Sequence, residues 1–567
     1  MLRNHTSEEV RSGFMNEAWW KKSVVYQIYP KSFYDTTGKG TGDIQGIIAK
    51  LDYLKDLGVD VIWLTPIYKS PQNDNGYDIS DYYSIEPQYG TMDDFQELLD
   101  ETHKRGMKLI MDLVVNHTST DHEWFQQAKS SRDNPFRDFY IWKEPKNGGV
   151  PNNWVSKFGG SAWEWDEQTN QYYLHLFDKT QADLNWENTE LREKLFEMMR
   201  FWAEKGIDGF RLDVINLISK NQAFPNDDSG DGRRFYTDGP RVHEYLHEMN
   251  QNVFSPYNML TVGEMSSTSL DECVLYTNPK REELSMTFQF HHLKVDYPDG
   301  KKWTKAPFDF LQLKQILSDW QVGMHEGRGW NALFWCNHDQ PRVVSRFGDD
   351  GKYHIESAKM LATTLHMMKG TPYIYQGEEI GMTNPHFTSI KQYRDVESLN
   401  AYKELQSEGK SDEEIIGILG QKSRDNGRTP MQWSAEDQAG FTSGTPWISV
   451  ANNFSKINVE QALQNRDSIF YHYQQLIQLR KKYDVITYGD YQLLLEDDPQ
   501  IFAYTRNWNG EKLIVISNFY GKEVSIDLQL EKACVHPEIL LSNYADSPKS
   551  LEQLHLRPYE SIIYYSK

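Results

Sequence analysis

Residues Lys108–His117 read KLIMDLVVNH, a short aliphatic run that ends in an amide and an imidazole. A run this brief and this apolar is the pattern of a strand covered on both faces, as in a parallel sheet. The pattern recurs in both directions along the chain. Upstream lie VVYQIYP from Val24 and VDVIWLTP from Val59; downstream lie GFRLDVIN from Gly209, MLTVGEM from Met259, SMTFQFHH from Ser285, ALFWCNHD from Ala332 and TPYIYQGEE from Thr371. Helical patterns such as DDFQELLDETHKRG, LREKLFEMMRFWAEKG and ESAKMLATTLHMMKG separate them, several stopped by a glycine soon after basic residues. Eight such alternations predict an α/β fold, a parallel (β/α)8 TIM barrel.

The interval between the third and fourth strands is far longer than the others and rich in Trp, Asn, Gly and Asp, so residues 118–183 are expected to form a small inserted domain. The barrel is then expected over 15–117 and 184–485, with a helix near Ile469–Lys482 towards its end. From residue 486 the alternation changes to period two, in QIFAYTRNW, KLIVISNFY and SIIYYS, which predicts a C-terminal antiparallel β-sandwich domain over 486–567. Residues 1–14 are polar and carry no core pattern, which makes Met15 a candidate for the native start.

Across 567 residues, 60 Lys and Arg face 82 Asp and Glu, a formal charge of -22 that disfavours nucleic acid and anionic membranes as partners. Cys273, Cys336 and Cys534 lie far apart with no C-x-x-C spacing, which excludes a disulfide scaffold and a thiolate zinc site and fits a reducing compartment. No stretch reaches the ~18 apolar residues of a membrane span, and the N-terminus lacks the apolar run of a signal peptide, so a cytoplasmic location is expected.

In a barrel of this kind the chemistry sits at the C-terminal ends of the strands. Four ends are loaded: Asp112, Asn116 and His117 on the third, Arg211 and Asp213 on the fourth, Glu264 on the fifth, and Asn337, His338 and Asp339 on the seventh. Singly, a strand-terminal Asp caps the following helix as readily as it catalyses. Several carboxylates with an arginine and two histidines on one rim are costly to bury together and are retained where reaction chemistry uses them. Two carboxylates across a sugar ring serve as nucleophile and proton donor, with retention at a separation of about 5 Å.

DLVVNH, GFRLDVIN, VGEM and NHDQPR, in that order at successive strand ends, resemble the four conserved regions of the α-amylase superfamily of retaining glycoside hydrolases. QADLN, Gln181–Asn185, resembles the further signature of the oligo-1,6-glucosidase subgroup. The resemblance implies Asp213 as nucleophile, Glu264 as acid/base and Asp339 as the third carboxylate, which stabilises the oxocarbenium-like transition state. It further implies that Tyr77 and Asp78 of NGYD, His117, His338 and Arg428 of RDNGRTPMQW wall a blind pocket for one terminal glucosyl unit. Arg211, two residues before Asp213, is placed to keep the nucleophile ionised. Glu264 must start protonated, its pKa raised by the neighbouring carboxylates.

Beyond the scissile bond, SMTFQFHHLKVDYPDGKKW offers His292, Lys294 and Lys302 as phosphate ligands, with Lys294 preferred; Lys301 and Lys302 also read as a solvated turn. His291 and His292, if still on the strand, point opposite ways, so only one faces the site. A phosphate dianion on the second sugar is the natural partner of such a rim. The resemblance therefore implies hydrolysis of α,α-trehalose 6-phosphate, a small phosphorylated disaccharide, to glucose and glucose 6-phosphate, with no cofactor. Val214 resembles α-1,6-preferring members and keeps an oligo-1,6-glucosidase or broader α-glucosidase as the alternative. A non-catalytic, transporter-associated relative, which would carry a membrane span and lose its carboxylates, is the minor alternative. Relatives hold a divalent cation in a loop resembling D-x-N-x-D-G-x-G-D, but DTTGKGTGD (Asp35–Asp43) has Lys39 at its centre. No metal is expected, and the Lys39 ammonium is expected to pair with Asp35 and Asp43 instead.

Overall fold

The computed structural model describes residues 18–528 and 537–567; the polar leader, Met15 and Cys534 lie outside them. Eight parallel strands follow the eight apolar runs: β1 Val25–Ile28, β2 Val61–Leu64, β3 Lys108–Leu113, β4 Gly209–Leu212, β5 Leu260–Glu264, β6 Met286–Phe288, β7 Ala332–Leu333 and β8 Thr371–Tyr375. Their spatial order is β6-β5-β4-β3-β2-β1-β8-β7, and a parallel bridge between Thr287 and Asn331 joins the two edges. The result is a TIM barrel. All residues of β1, β2, β4, β5 and β8 are buried, which is why these strands read as unbroken apolar runs.

Local sequence signals fix the helices between the strands. Thr91 and Asp94 form a capping box at the start of the helix Met92–Lys104. Asn188 caps Thr189–Lys205, which ends where Gly206 turns into the left-handed region at φ 106°, a conformation that a Cβ would strain. The helix Ile469–Lys482 has the expected bounds.

The long excursion after β3 leaves and re-enters through an antiparallel ladder of His117–Ser119 with Gln181–Asp183. Above that ladder stand a three-stranded sheet and a separate apolar cluster around Trp154 and Trp163. After β8, two helices, Val396–Ser407 and Asp412–Lys422, pack into a lobe with its own core of Leu405, Ile415 and Leu419. The C-terminal domain is a five-stranded antiparallel sheet with a two-stranded companion. It is fastened to the barrel by Tyr504, whose hydroxyl donates to the Thr364 carbonyl at 2.7 Å, and by Arg506 Nη1, which donates to the Met367 carbonyl at 2.6 Å. Among the described residues, no helix is long and apolar enough to cross a membrane.

Two expectations change here. Strand β6 stops at Phe288, and His291–Leu293 form a 3-10 turn, so His291 and His292 do not alternate as strand residues. In the loop after β1, Lys39 is exposed and takes part in no ion pair among the described residues. Asp35 instead accepts backbone N–H groups from Thr37, Gly38 and Gly40 and a hydroxyl from Thr442. Asp43 accepts from Thr36 and caps the next helix through Gly46 N–H. The carboxylates face protein donors rather than a common centre, so this donor set fits neither a cation nor an ammonium in its place.

Candidate active site

One guanidinium organises the rim. Arg211, buried on β4, places Nη1 2.7 Å from Asp213 Oδ1 and 2.9 Å from Asp112 Oδ1, and Nη2 2.7 Å from Glu264 Oε2. Three largely buried carboxylates share a single cation, which disfavours ionising all of them at neutral pH. Burial pushes Glu264 up to about 8, with the charges of Asp213 and Asp339 adding to it and Arg211 opposing. Desolvation therefore comes ahead of the neighbouring carboxylates as the cause. Burial also raises Asp213, to about 7, against Arg211, so the guanidinium does not keep this carboxyl in the ordinary range as its place in the sequence suggests. Asp213 and Glu264 titrate as a pair around the shared guanidinium, both holding protons more tightly than free carboxylates.

Asp339 stands on the opposite wall. Burial alone would raise it, and a protonated His338 would oppose that, but with this ring neutral it is the guanidiniums of Arg424 and Arg428 that hold Asp339 below the usual carboxylate range. Arg428 Nη2 lies 2.7 Å from Asp339 Oδ1, and Arg424 Nη1 lies 3.4 Å from the same oxygen. Burial draws His338 down to about 3, so its ring is neutral. Gln27 Nε2 donates to His338 Nδ1 at 2.8 Å, which leaves the ring hydrogen on Nε2, a buried atom 3.4 Å from Asp339 Oδ2 with no hydrogen-bond partner among the described residues. Tyr77 stacks on this ring at 5.2 Å and 6°, and its hydroxyl donates to Asp112 Oδ2 at 3.0 Å.

Tyr77, His117, Asp213, Glu264 and Asp339 line one cavity. His117 contributes its ring face, since both its nitrogens are engaged by the Tyr77 carbonyl and Asn116. Two expected wall residues sit one layer back. Asp78 accepts the Asn73 and Asp74 N–H groups and the Ser70 hydroxyl, riveting the loop after β2. Arg428 is buried behind Asp339 and donates Nε to the His338 carbonyl at 2.8 Å. Asp74 and Arg424 take their places at the wall, with Arg424 Nη2 3.2 Å from Asp74 Oδ1. Burial raises Asp74 to about 7. Arg424 opens the motif that holds the expected Arg428, four residues before it, whereas Asp74 lies one residue before NGYD, four before Asp78.

Past Glu264 the wall becomes cationic. Lys294 and Lys302 line the cavity; Lys302 pairs with Glu397 at 2.7 Å, and no ion pair among the described residues involves Lys294. Partial burial lowers the Lys294 pKa, and Arg233 and Lys302 lower it further. Lys157 of the insertion donates to Ser266 Oγ at 3.1 Å, and burial followed by Arg233 and Lys294 brings it down to about 8. Lys157 and Arg233 lie in loops with no local motif, and only the fold brings them to this rim. His292 does not belong there: it is buried, with Nδ1 engaged by Gln289 and Nε2 by the Phe334 carbonyl.

The family model described as the α-amylase catalytic domain matches residues 27–489, and the model of the SusG C-terminal domain of α-amylases matches 501–563. The chain is 67% identical over 549 residues to the trehalose-6-phosphate hydrolase of Bacillus subtilis, covering 96% of this chain and 98% of that one. It is 56% identical over 558 residues to the oligo-1,6-glucosidase of Parageobacillus thermoglucosidasius, covering 97% and 99%. The crystal structure of Bacillus licheniformis trehalose-6-phosphate hydrolase superposes with a TM-score of 0.94 at 66% identity, covering 97% of this chain and 100% of that one.

Proposed function

The chain belongs to the α-amylase family of glycosidases, and on that premise we propose that it hydrolyses α,α-trehalose 6-phosphate to glucose and glucose 6-phosphate with retention. The observation that carries the substrate is the cationic wall beyond Glu264, where the exposed Lys294 takes part in no ion pair among the described residues, in a chain of net charge -22. An acidic protein repels an anionic ligand at long range, and this rim offsets that locally: Lys302 and Arg233 are paired with Glu397 and Asp231, and Lys294 and Lys157 beside them are left to meet an anionic ligand. Lys294 is the preferred phosphate ligand.

The mechanism follows from the shared guanidinium. The terminal glucosyl unit stacks on Tyr77, with Asp74, Arg424 and His338 addressing its hydroxyls. Asp213 attacks the anomeric carbon as Glu264 gives its proton to the departing oxygen of glucose 6-phosphate. Arg211 bridges both carboxyls, which supports the short separation that double displacement requires. Asp339, held ionised, stabilises the positive charge that develops at the anomeric centre. Water then opens the glucosyl ester with Glu264 as base, and two inversions give net retention. The buried free thiols Cys273 and Cys336 fit a cytoplasmic location.

A second reading, an oligo-1,6-glucosidase, is favoured by Val214 after the nucleophile. Rates on trehalose 6-phosphate, trehalose, isomaltose and sucrose, with identification of the products, separate the two. Glucose 6-phosphate from the first substrate supports the proposal, and isomaltose as the best substrate overturns it.

A further inference from the structure

Val214, directly after Asp213, has φ 37° and ψ 39°. It is the one β-branched residue with positive φ among the described residues. A branched Cβ makes the left-handed region costly, and such a conformation persists only where the surroundings impose it. Here the turn aims the Val214 N–H at Glu264 Oε2, 3.1 Å away. The same oxygen forms an ion pair with Arg211 Nη2 at 2.7 Å, whereas Oε1 has neither contact.

We propose that the Val214 backbone amide is a positioning group for the acid/base: with Arg211 it reserves Glu264 Oε2 as an acceptor and so leaves the transferable proton on Oε1. The inference rests on the reading of Glu264 as acid/base. An oxygen that already accepts one N–H and lies against a guanidinium is a poor site for a further hydrogen. During glucosylation the Oε1 proton passes to the glycosidic oxygen as its bond to the anomeric carbon breaks and the bond from Asp213 forms. The electron pair of the broken bond stays on the departing oxygen, and the negative charge left on Glu264 is held at Oε2 by the amide and the guanidinium. In the second half-reaction Oε1 recovers a proton from the attacking water. Because the amide belongs to the residue after the nucleophile, one turn of backbone sets the register of both catalytic carboxyls.

The test is an amide-to-ester exchange at Val214 in the full chain, with the α-hydroxy analogue of valine, which deletes only the N–H. Loss of a donor to a charged acceptor predicts a fall of about tenfold or more in kcat/KM on the disaccharide. The fall on an aryl α-glucoside whose leaving group needs no protonation is expected to be much smaller. The alkaline limb of the disaccharide profile moves to higher pH. Val214→Gly keeps the N–H and suits positive φ, so its alkaline limb stays where the unmodified enzyme has it. Should the ester protein not fold, the Val214 amide proton of the 15N-valine-labelled enzyme, identified by its loss in Val214→Gly, provides the readout. Its shift is expected to titrate with the alkaline limb. Equal losses on both substrates with an unmoved limb, a limb shift in Val214→Gly, or an amide proton that does not titrate overturns the inference. An unmodified enzyme inactive on the aryl glucoside instead overturns the glycosidase reading beneath it.

Discussion

Lys302 Nζ lies 2.7 Å from Glu397 Oε2, so one of the two lysines at the cavity wall already has its counter-charge and the other, Lys294, has none among the described residues. The two substitutions are therefore not equivalent. Lys294→Ala is expected to lower kcat/KM on trehalose 6-phosphate by roughly 10- to 100-fold, the range of a charged hydrogen bond, while an aryl α-glucoside changes by less than about twofold. Lys302→Ala leaves Glu397 unpaired beside the substrate and is expected to weaken both substrates. Steady-state kinetics on the pair of substrates checks this, and parallel losses for Lys294→Ala would remove it as a phosphate ligand.

The acid/base sets a pH limit. Glu264, raised by burial to about 8, must be protonated to act, so kcat/KM on the disaccharide is expected to fall as pH rises through about 8. Glu264→Gln is expected to abolish turnover of the disaccharide and to remove this limb from any residual activity on the aryl glucoside. A pH–rate profile with both proteins is the measurement.

Asp74 faces the glucosyl pocket and pairs with Arg424. Asp74→Asn removes the charge and keeps the shape, and is expected to lower kcat/KM on every α-glucoside by roughly tenfold or more. Asp78→Asn acts through the loop it fastens, so its effect is expected in the thermal midpoint as well as in activity. Comparing the two variants by kinetics and melting separates wall from support.

Glu378, buried beside Glu379, is raised to about 8, and Tyr473 donates to its Oε1 at 2.8 Å. The folded state therefore binds this proton more tightly than an unfolded chain, whose ordinary glutamate value is ~4.3. Its contribution is complete below that value and is lost as pH rises towards and through about 8. Glu378→Gln is expected to flatten the decline of the thermal midpoint between those limits, measured by calorimetry against the unmodified protein.

Lys39 is exposed and takes part in no ion pair among the described residues, so Lys39→Ala is expected to change stability by less than about 0.5 kcal/mol. Asp35→Ala strips the acceptor from four groups of its loop and from Thr442, and is expected to lower the melting midpoint clearly. Chelator treatment is expected to leave both values unchanged.

The barrel was legible because its strands are covered on both faces, which writes the fold as eight apolar runs with polar ends. The proposed catalytic carboxyls were legible for the same reason, since Asp213, Glu264 and Asp339 mark those ends. Direction within a loop was not. RDNGRTPMQW carries two arginines and the loop around NGYD two aspartates, one of them, Asp74, just outside the motif, and only the folded loop decides that Asp74 and Arg424 face inward while Asp78 and Arg428 brace them. His292 read as a ligand because spacing cannot reveal that a carbonyl and an amide already claim both its nitrogens. Lys157 and Arg233 reach the rim from segments far apart in sequence and offered no local pattern at all.

The central claim is that a phosphate on the second sugar is recognised, and kcat/KM on trehalose 6-phosphate against trehalose, with one preparation, tests it most directly. The account predicts a preference of at least about tenfold for the phosphorylated sugar, lost in Lys294→Ala. Equal rates with and without the phosphate would contradict it.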